Sequence, residues 1–402
     1  MDHLKFISVL ENPWDYISIF IVFIIGYFLL SSSARYFNAT KIRTLSLYIW
    51  HTFFCCAYIV TTSKIGGDTI WYYTESLQLL TNYSDFSFGT AAIVWLTALF
   101  TNGFGLNYIS TCMAFNIIGT YGLLAIDASL RHATKDKSGF IKSLVLFVVL
   151  IPSMSYWSTA IGKDSVQFMG TGLMLWSCID FKKRYIVFFI SLCIIFTVRP
   201  HIGAVAFISF AISLIFMNKI SLSKKIFYLL IVSTSIVFIL PSVFEYISFK
   251  RPTSIATNLD YLIYYIERRQ TYNVDSGGGV DISSLNFLLQ LFTYLFRPLP
   301  FDAHNTLALL TSLDNVFLLT VFTLSIFSII FLKREKFSLN HPKENRWFLL
   351  IFSVTVLSIL SLTTSNFGIS ARQKWMVMPI LLYYMFLFMS VSWSDNLKNK
   401  KV

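Results

Sequence analysis

The chain has 402 residues, of which 55% are hydrophobic and only 13% are charged, and its mean hydropathy is +0.65. A soluble domain cannot hide that much apolar side chain from water, so a water-soluble globular protein is excluded. The formal net charge of +12 would suit a nucleic-acid partner, but no basic domain carries it, and we predict no such partner.

Apolar segments recur along the chain at lengths of about 17 to 25 residues, enough to cross a hydrocarbon core as helices. The sequence therefore predicts an all-α fold in which residues 1–402 form a single integral membrane domain, a polytopic transmembrane helical bundle of about 11 spans (10–12). The predicted spans are 17–33, 45–62, 107–126, 140–155, 165–179, 185–198, 202–217, 226–243, 316–332, 347–364 and 375–392. Two shorter apolar pieces, 91–100 and 285–296, are predicted re-entrant or interfacial helices.

Lysine and arginine are concentrated in alternate connections between the spans, at 35–43, 131–142, 182–184, 219–225, 333–346 and 398–401. The positive-inside rule makes these loops cytoplasmic, with the N-terminus outside and the C-terminus inside. The long connections, 63–90 and 244–315, then become a first and a large outer loop. Long loops are usually functional or disordered, and the second is rich in Tyr, Phe and Leu, so we expect the chemistry at the outer face.

The first polar cluster on that face is KIGGDTIWYY, where two glycines precede Asp68 and three aromatics, Trp71, Tyr72 and Tyr73, follow. Aromatic rings beside a carboxylate suit a sugar, whose apolar face stacks while its hydroxyls bond the acid. An interfacial aromatic belt next to a solvated Asp explains the stretch equally well.

The second cluster, SYWSTAIGKDSVQF, places Lys163 and Asp164 at the start of a helix. Asp164 is positioned to cap that helix, and the free N–H groups of a first turn favour an anion. A plain helix cap accounts for Asp164, but capping does not need Lys163.

The third cluster is TVRPHIGA, which puts Arg199 and His201 at a tight turn between two spans. An arginine so close to hydrocarbon must snorkel, pair with an acid or bind an anionic ligand such as a phosphate. His201 is either a general base, because imidazole titrates near neutrality, or a hydrogen-bonded structural residue.

The last two clusters lie in and after the large outer loop. IERRQTYNVDSGGGVDISS contains Arg268, Arg269 and a glycine run at 277–279 that suits a lid or gate, and YLFRPLPFDAHN contains Arg297. TTSNFGISARQKWMVMPI brings Arg372 and Lys374 just before the last span. With Lys163 and Arg199, these bases recur at the outer ends of different helices, and together they would suit a lipid-linked diphosphate.

These motifs in this order, GGD with aromatics, GKD, RPH, FRPLPF and NFG with a following arginine, resemble the bacterial Wzy-like and EpsG-like polysaccharide polymerases over most of the chain. The resemblance implies an enzyme of the bacterial inner membrane that joins undecaprenyl-diphosphate-linked repeat units into O-antigen or capsular polysaccharide. It also implies a chain-length regulator as a further partner. Asp68 has no DxD-like companion and no nucleotide motif is present, so we predict neither a metal nor another cofactor.

The resemblance suggests roles for the clustered residues. Arg199, Arg297 and Arg372, helped by Lys163, would bind the diphosphate, while Asp68 or His201 deprotonates the acceptor hydroxyl. Asp164 would be a third base or the partner that orients an arginine, and Trp71, Tyr72 and Tyr73 would contact sugar. An O-antigen ligase, another polyprenyl-linked glycosyltransferase and a flippase for the same lipid remain alternatives.

Overall fold

The computed structural model describes residues 12–79, 86–216, 258–272, 274–331 and 339–389, with a few isolated positions between 221 and 230. Within these ranges the chain is helical; only two isolated β-bridges occur there, Gly279 with Asn366 and Asn340 with Asn345. The helices, in chain order, are α1 (Pro13–Ser33), α2 (Lys41–Ile65), α3 (Asp68–Gln78), α4 (Thr90–Phe104), α5 (Tyr108–Ala133), α6 (Gly139–Val149), α7 (Pro152–Trp157), α8 (Lys163–Ile179), α9 (Phe181–Val198), α10 (Pro200–Phe216), α11 (Asn258–Thr271), α12 (Phe287–Phe296), α13 (Thr306–Phe331), α14 (Arg346–Thr363), α15 (Phe367–Gln373) and α16 (Met378–Phe388).

Among the described residues, 6 helical segments are long and apolar enough to cross a membrane: α1, α2, α5, α6 together with α7, α13 and α14. The prediction of an all-α, multi-pass membrane protein is thereby confirmed. The count of about 11 spans and the orientation remain predictions. Apart from three isolated positions, the predicted span 226–243 lies outside the described ranges.

Two predicted spans differ from the observed helices in an instructive way. The predicted span 140–155 is broken between α6 and α7, because Pro152 at the first position of α7 cannot continue the preceding helix. Helix α13 begins at Thr306, well before the predicted start at 316, and Asp314 and Asn315 in its third turn are buried. Hydropathy alone cannot detect a helix whose polar residues face protein.

Contacts group the chain into two compact units, which leaves the prediction of a single domain untested. Unit one comprises Met1–His132, Val149–Ser177 and Lys182–Gly203, and unit two comprises Ala133–Val148, Cys178–Phe181 and Ala204–Val402. In unit one α1 packs against α2, α2 against α7 and α3 against α4. In unit two α12 packs against α13, α14 and α15, while α16 packs against α13 and α14.

Glycines allow α5 of unit one to approach α8 and the residue that follows α7 closely. A Cβ built on Gly172 would lie 2.5 Å from the carbonyl oxygen of Gly122, and one on Gly119 would lie 2.0 Å from the carbonyl oxygen of Ser158. Small residues at helix crossings are the usual way in which membrane helices gain contact area. These glycines therefore set the spacing of the central helices.

Hydrogen bonds show which helix ends of unit one lie together. At one end, Thr62 near the end of α2 contacts the Tyr108 hydroxyl at the start of α5, 3.1 Å away. At the other end, Arg43 and Arg131 both bind the buried Asp127 carboxylate, at 2.5 and 2.8 Å. Arg131 also donates to the Phe37 and Asn38 carbonyls of the α1–α2 connection. The α1–α2 connection and the end of α5 therefore lie at the same end of unit one, while the placement of that end relative to a membrane stays a prediction.

Candidate functional site

The predicted cations divide between the two units. Lys163 and Arg199 belong to unit one, whereas unit two contains Arg268, Arg269, Arg297, Arg372 and Lys374. Each group is described within its own unit.

Arg199 pairs with Asp164 in unit one. Asp164 lies in the first turn of α8, and Arg199 occupies the single position between α9 and α10. Its Nη2 donates to Asp164 Oδ1 over 2.6 Å, and Arg199 is only 8% exposed. Its Nε is buried and makes no hydrogen bond. Of the three expectations for this arginine, the described structure shows pairing with an acid, Asp164; the role of Asp164 as a base or as an orienting partner stays a prediction.

The carboxylate and aromatics of the first cluster lie on α3 of the same unit. Asp68 is the first residue of α3 and is exposed. Gly66 and Gly67 before it adopt positive φ values of 77° and 156°, which glycine tolerates. Trp71 is 48% exposed, while Tyr72 is buried. Trp71 is therefore the more accessible of these two rings.

Two of the predicted clusters are connected through Tyr58. The Thr69 hydroxyl at the start of α3 donates to the Tyr58 hydroxyl over 3.1 Å. The Tyr58 ring in turn packs on Tyr156, with 5.0 Å between ring centroids, and on Trp157, with 6.2 Å. The GGD segment and the segment that leads into GKD are thus held together by α2.

His201 and Tyr73 take less central positions. His201 is half-buried in the first turn of α10, two residues beyond Arg199. Tyr73 packs edge-on against Tyr108, with ring centroids 5.4 Å apart. The proposed base role of His201 remains a prediction.

A buried polar network around His51 escaped the sequence analysis. His51 is fully buried on α2, and its Nδ1 lies 2.6 Å from Asn116 Oδ1, while its Nε2 lies 3.0 Å from the Ser158 hydroxyl. Thr159 also donates to Asn116 Oδ1 over 2.9 Å. The network ties α2 and α5 to the connection that leads into Lys163. A lone histidine in an apolar run gives no sequence signal for such partners.

In unit two, Arg297 is held by a two-pronged ion pair. Its Nε and Nη2 donate to the two Asp302 oxygens over 3.0 and 2.6 Å, and the guanidinium lies 4.9 Å from the centre of the Phe367 ring. Arg297 lowers the pKa of the Asp302 carboxyl. This fork geometry is specific to arginine.

The glycine run meets the NFG segment directly. The Phe367 N–H donates to the Gly278 carbonyl over 2.8 Å, and the Val280 N–H donates to the Ser365 carbonyl over 2.9 Å. Asn366 caps α15 and also donates to the Ser276 hydroxyl over 2.9 Å. The segment predicted to be a flexible gate is therefore anchored at its centre.

Lys374 is fully buried beneath this cluster, just before α16. Its ammonium donates to the Asn315 side-chain oxygen, and the Asn315 amide donates to the Pro298 carbonyl over 2.9 Å. Burial lowers the pKa of Lys374 to about 8, although Asp314 opposes the shift. Lys374 thus supports the Arg297–Pro298 segment through Asn315.

The other bases of unit two lie around this cluster. Arg268 is exposed in the last turn of α11, and Arg269 beside it lies with its guanidinium 5.6 Å from the Tyr272 ring centre. The Ser365 hydroxyl donates to the Tyr272 carbonyl over 2.6 Å, which joins the end of α11 to the NFG segment. Arg372 is half-buried in the last turn of α15.

Three comparisons were made with known proteins. The chain matches no protein-family model, no curated protein and no solved structure. The family resemblance therefore rests on the motifs themselves. Across the described ranges, no group of three or more His, Cys, Asp or Glu side chains is arranged to hold a metal ion. The prediction of a metal-free and cofactor-free reaction awaits its own test.

Proposed function

We propose that the chain is a membrane glycosyltransferase that joins undecaprenyl-diphosphate-linked repeat units into O-antigen or capsular polysaccharide at the outer face of the bacterial inner membrane. The acceptor hydroxyl oxygen attacks the anomeric carbon of the donor. A new glycosidic bond forms as the bond to the lipid diphosphate breaks, and the leaving diphosphate takes the electron pair. The hydroxyl proton passes to a base, for which Asp68 and His201 are the candidates.

One observation carries the proposal: Arg199 keeps a charge in a nearly buried position, held by one carboxylate, with its Nε still available. A buried arginine with a single acidic partner gives a fold little stability, because desolvation offsets the attraction. Binding of a diphosphate would explain why an arginine occupies this position, because an oriented guanidinium stabilises the charge that develops on the leaving group.

The two substrates also suit the distribution of charge. Donor and acceptor each carry a lipid diphosphate, and each unit contains cations predicted to bind one, namely Lys163 and Arg199 in unit one and Arg297 and Arg372 in unit two. We assign these residues to diphosphate binding and Trp71 to sugar contact.

The test uses cells that lack the native gene and carry the Arg199→Ala variant, with surface glycans separated on a gel. A polymerase predicts that the ladder of repeat lengths collapses to core plus one repeat. Arg35→Ala, an exposed arginine in the connection after α1, is the matched control and should keep the full ladder. Immunoblots should show equal amounts of both variants.

Other outcomes separate the alternatives. Loss of the single-repeat band as well would favour a ligase or a flippase, and an unchanged ladder would refute the role of Arg199. The purified protein with a synthetic lipid-linked repeat should form polymer in the presence of a chelator. Activity abolished by the chelator would refute the metal-free reaction.

A further inference from the structure

Residues 158–162 join α7 to α8 and lead directly into Lys163 and Asp164. These residues belong to neither helix, so no helical ladder of hydrogen bonds fixes their backbone. Ser158 and Thr159 are nevertheless almost fully buried, with exposed fractions of 2% and 0%. Contacts with neighbouring helices must therefore set the direction in which the chain enters α8.

The buried network around His51 supplies those contacts. His51 Nε2 lies 3.0 Å from the Ser158 hydroxyl, and the Thr159 hydroxyl donates to Asn116 Oδ1 over 2.9 Å and to the His51 carbonyl over 3.3 Å. On the other side, a Cβ built on Gly119 would lie 2.0 Å from the Ser158 carbonyl oxygen, so the backbone of α5 blocks movement in that direction. Helices α2 and α5 thus hold the first two residues of the connection.

The pattern of hydrogen bonds assigns the proton of the His51 ring. Asn116 Nδ2 donates to the Thr52 hydroxyl over 2.8 Å, so Asn116 Oδ1 faces His51 and accepts from its Nδ1. With the ring proton on Nδ1, Nε2 is left as an acceptor for the Ser158 hydroxyl, which also lies 2.7 Å from the Met154 carbonyl. The ring therefore links α5 to the connection through one donor and one acceptor.

Stability alone does not require a histidine at this position. Hydrogen bonds between membrane helices contribute little on average, and an apolar side chain of similar volume would avoid the cost of burying a polar ring. A satisfied buried network instead rigidifies the groups that it joins and favours one arrangement of them. The network around His51 is therefore suited to fixing the conformation of residues 158–162.

The conformation of this connection matters at its far end. Asp164 is the second residue of α8, and its Oδ1 lies 2.6 Å from Arg199 Nη2. A hydrogen bond weakens steeply when its atoms move apart or lose alignment. We propose that His51 is a positioning residue, which acts through Ser158 to hold the connection 158–162 and thereby keeps Asp164 bonded to Arg199. The importance of this positioning for catalysis rests on the proposed function, in which Arg199 binds the diphosphate.

Two variants of His51 separate the two contacts of the ring. The side-chain amide of His51→Asn can take the place of Nδ1 and keep the contact with Asn116. The longer side chain of His51→Gln can place its amide where Nε2 lies and keep the contact with Ser158. If the ring acts through Ser158, only His51→Gln should preserve the conformation of the connection.

A second pair of variants is matched in shape. Thr159→Val and Thr52→Val each remove one hydroxyl from the network, but only Thr159 belongs to the connection. The measurement is amide hydrogen exchange by mass spectrometry on the protein in nanodiscs, with the peptide that covers 158–165 as the reporter. The threonine pair carries the test even if neither His51 variant folds.

We expect exchange of 158–165 to be faster by about tenfold in His51→Asn and Thr159→Val, and to stay within about twofold of the wild type in His51→Gln and Thr52→Val. The peptide of α4 should exchange at the wild-type rate in all four variants, because the effect is local. Equal acceleration in α4 would show a general loss of stability and would overturn the proposal. Unchanged exchange of 158–165 in His51→Asn and Thr159→Val would also overturn it.

Polymer formation by the purified variants connects the positioning to the reaction. With a synthetic lipid-linked repeat, His51→Asn should lower the rate by about tenfold, and His51→Gln should restore most of it. If Arg199→Ala abolishes polymerisation while His51→Asn keeps the wild-type rate, the positioning role is refuted and the proposed function stands. If exchange changes as expected but Arg199→Ala still polymerises, the proposed function is refuted and the effect of His51 on the connection stands.

Discussion

Asp164→Ala removes the only carboxylate that binds Arg199 in the described structure, over a distance of 2.6 Å. The two side chains are 10% and 19% exposed, so the isolated guanidinium is poorly solvated. Breaking a buried pair by removing one partner costs about 3 to 5 kcal/mol. Because both side chains keep some exposure to solvent, we expect Asp164→Ala to lower the unfolding free energy by the lower limit of this range, about 3 kcal/mol.

The double variant Asp164→Ala/Arg199→Ala removes both charges and should recover part of that loss. The coupling between the two sites should reach at least about 1 kcal/mol, as for other residues in direct contact. The measurement is denaturant unfolding in nanodiscs, followed by tryptophan fluorescence. Glu75→Ala, an acidic residue on α3 of the same unit, serves as the control and should be additive with Arg199→Ala within about 0.5 kcal/mol. The reasoning would be refuted if the loss of stability in the Asp164→Ala/Arg199→Ala double variant equalled the sum of the losses in the two single variants.

Gly119→Ala should lower the unfolding free energy by several kcal/mol, because the added Cβ would lie 2.0 Å from a backbone oxygen. Gly103→Ala is the control: its added Cβ would have no atom within 4 Å, so in the same unfolding assay it should be neutral or stabilising by up to about 1 kcal/mol. Arg297→Lys should lose about 1.5 kcal/mol, because lysine cannot form the two-pronged bond to Asp302; equal stability would contradict this. The pKa of Lys374 is lowered to about 8, so between pH 8 and about 10.4 the unfolded chain binds more protons. Stability should therefore rise with pH across that window, and Lys374→Met should flatten the curve measured by pH-dependent unfolding.

The sequence predicted the long helices well because hydropathy measures the property that places them in a bilayer. It failed where polar residues face protein. Asp314 and Asn315 lie in the third turn of α13 and are buried within unit two, and hydropathy assigns such turns to a loop. The break at Pro152 had a clear local cause, yet a window average across 140–155 conceals it.

The site was predictable as residue types and only partly as contacts. The sequence predicted three alternatives for Arg199, of which one was pairing with an acid, and it gave Asp164 as one possible partner. Nothing in the order of residues favours Asp164 over the other acids as that partner. The anchoring of Gly278 by Phe367 depends on a backbone bond, which has no side-chain signature. The support of Pro298 by Lys374 through Asn315 requires three segments to converge, and only the folded chain shows that.

The Asp127 cluster has a consequence for the order of events during biogenesis. Arg131 pairs with Asp127 as soon as α5 forms, because the two residues are one helical turn apart, whereas Arg43 stays an uncompensated positive charge until α2 and α5 have docked. Once docked, both guanidinium groups are engaged by Asp127, and contact with anionic lipid headgroups falls to exposed neighbours such as Arg35 and Lys41. If the predicted orientation is correct, Arg43 is a topological signal before docking and part of an interhelical ion pair afterwards.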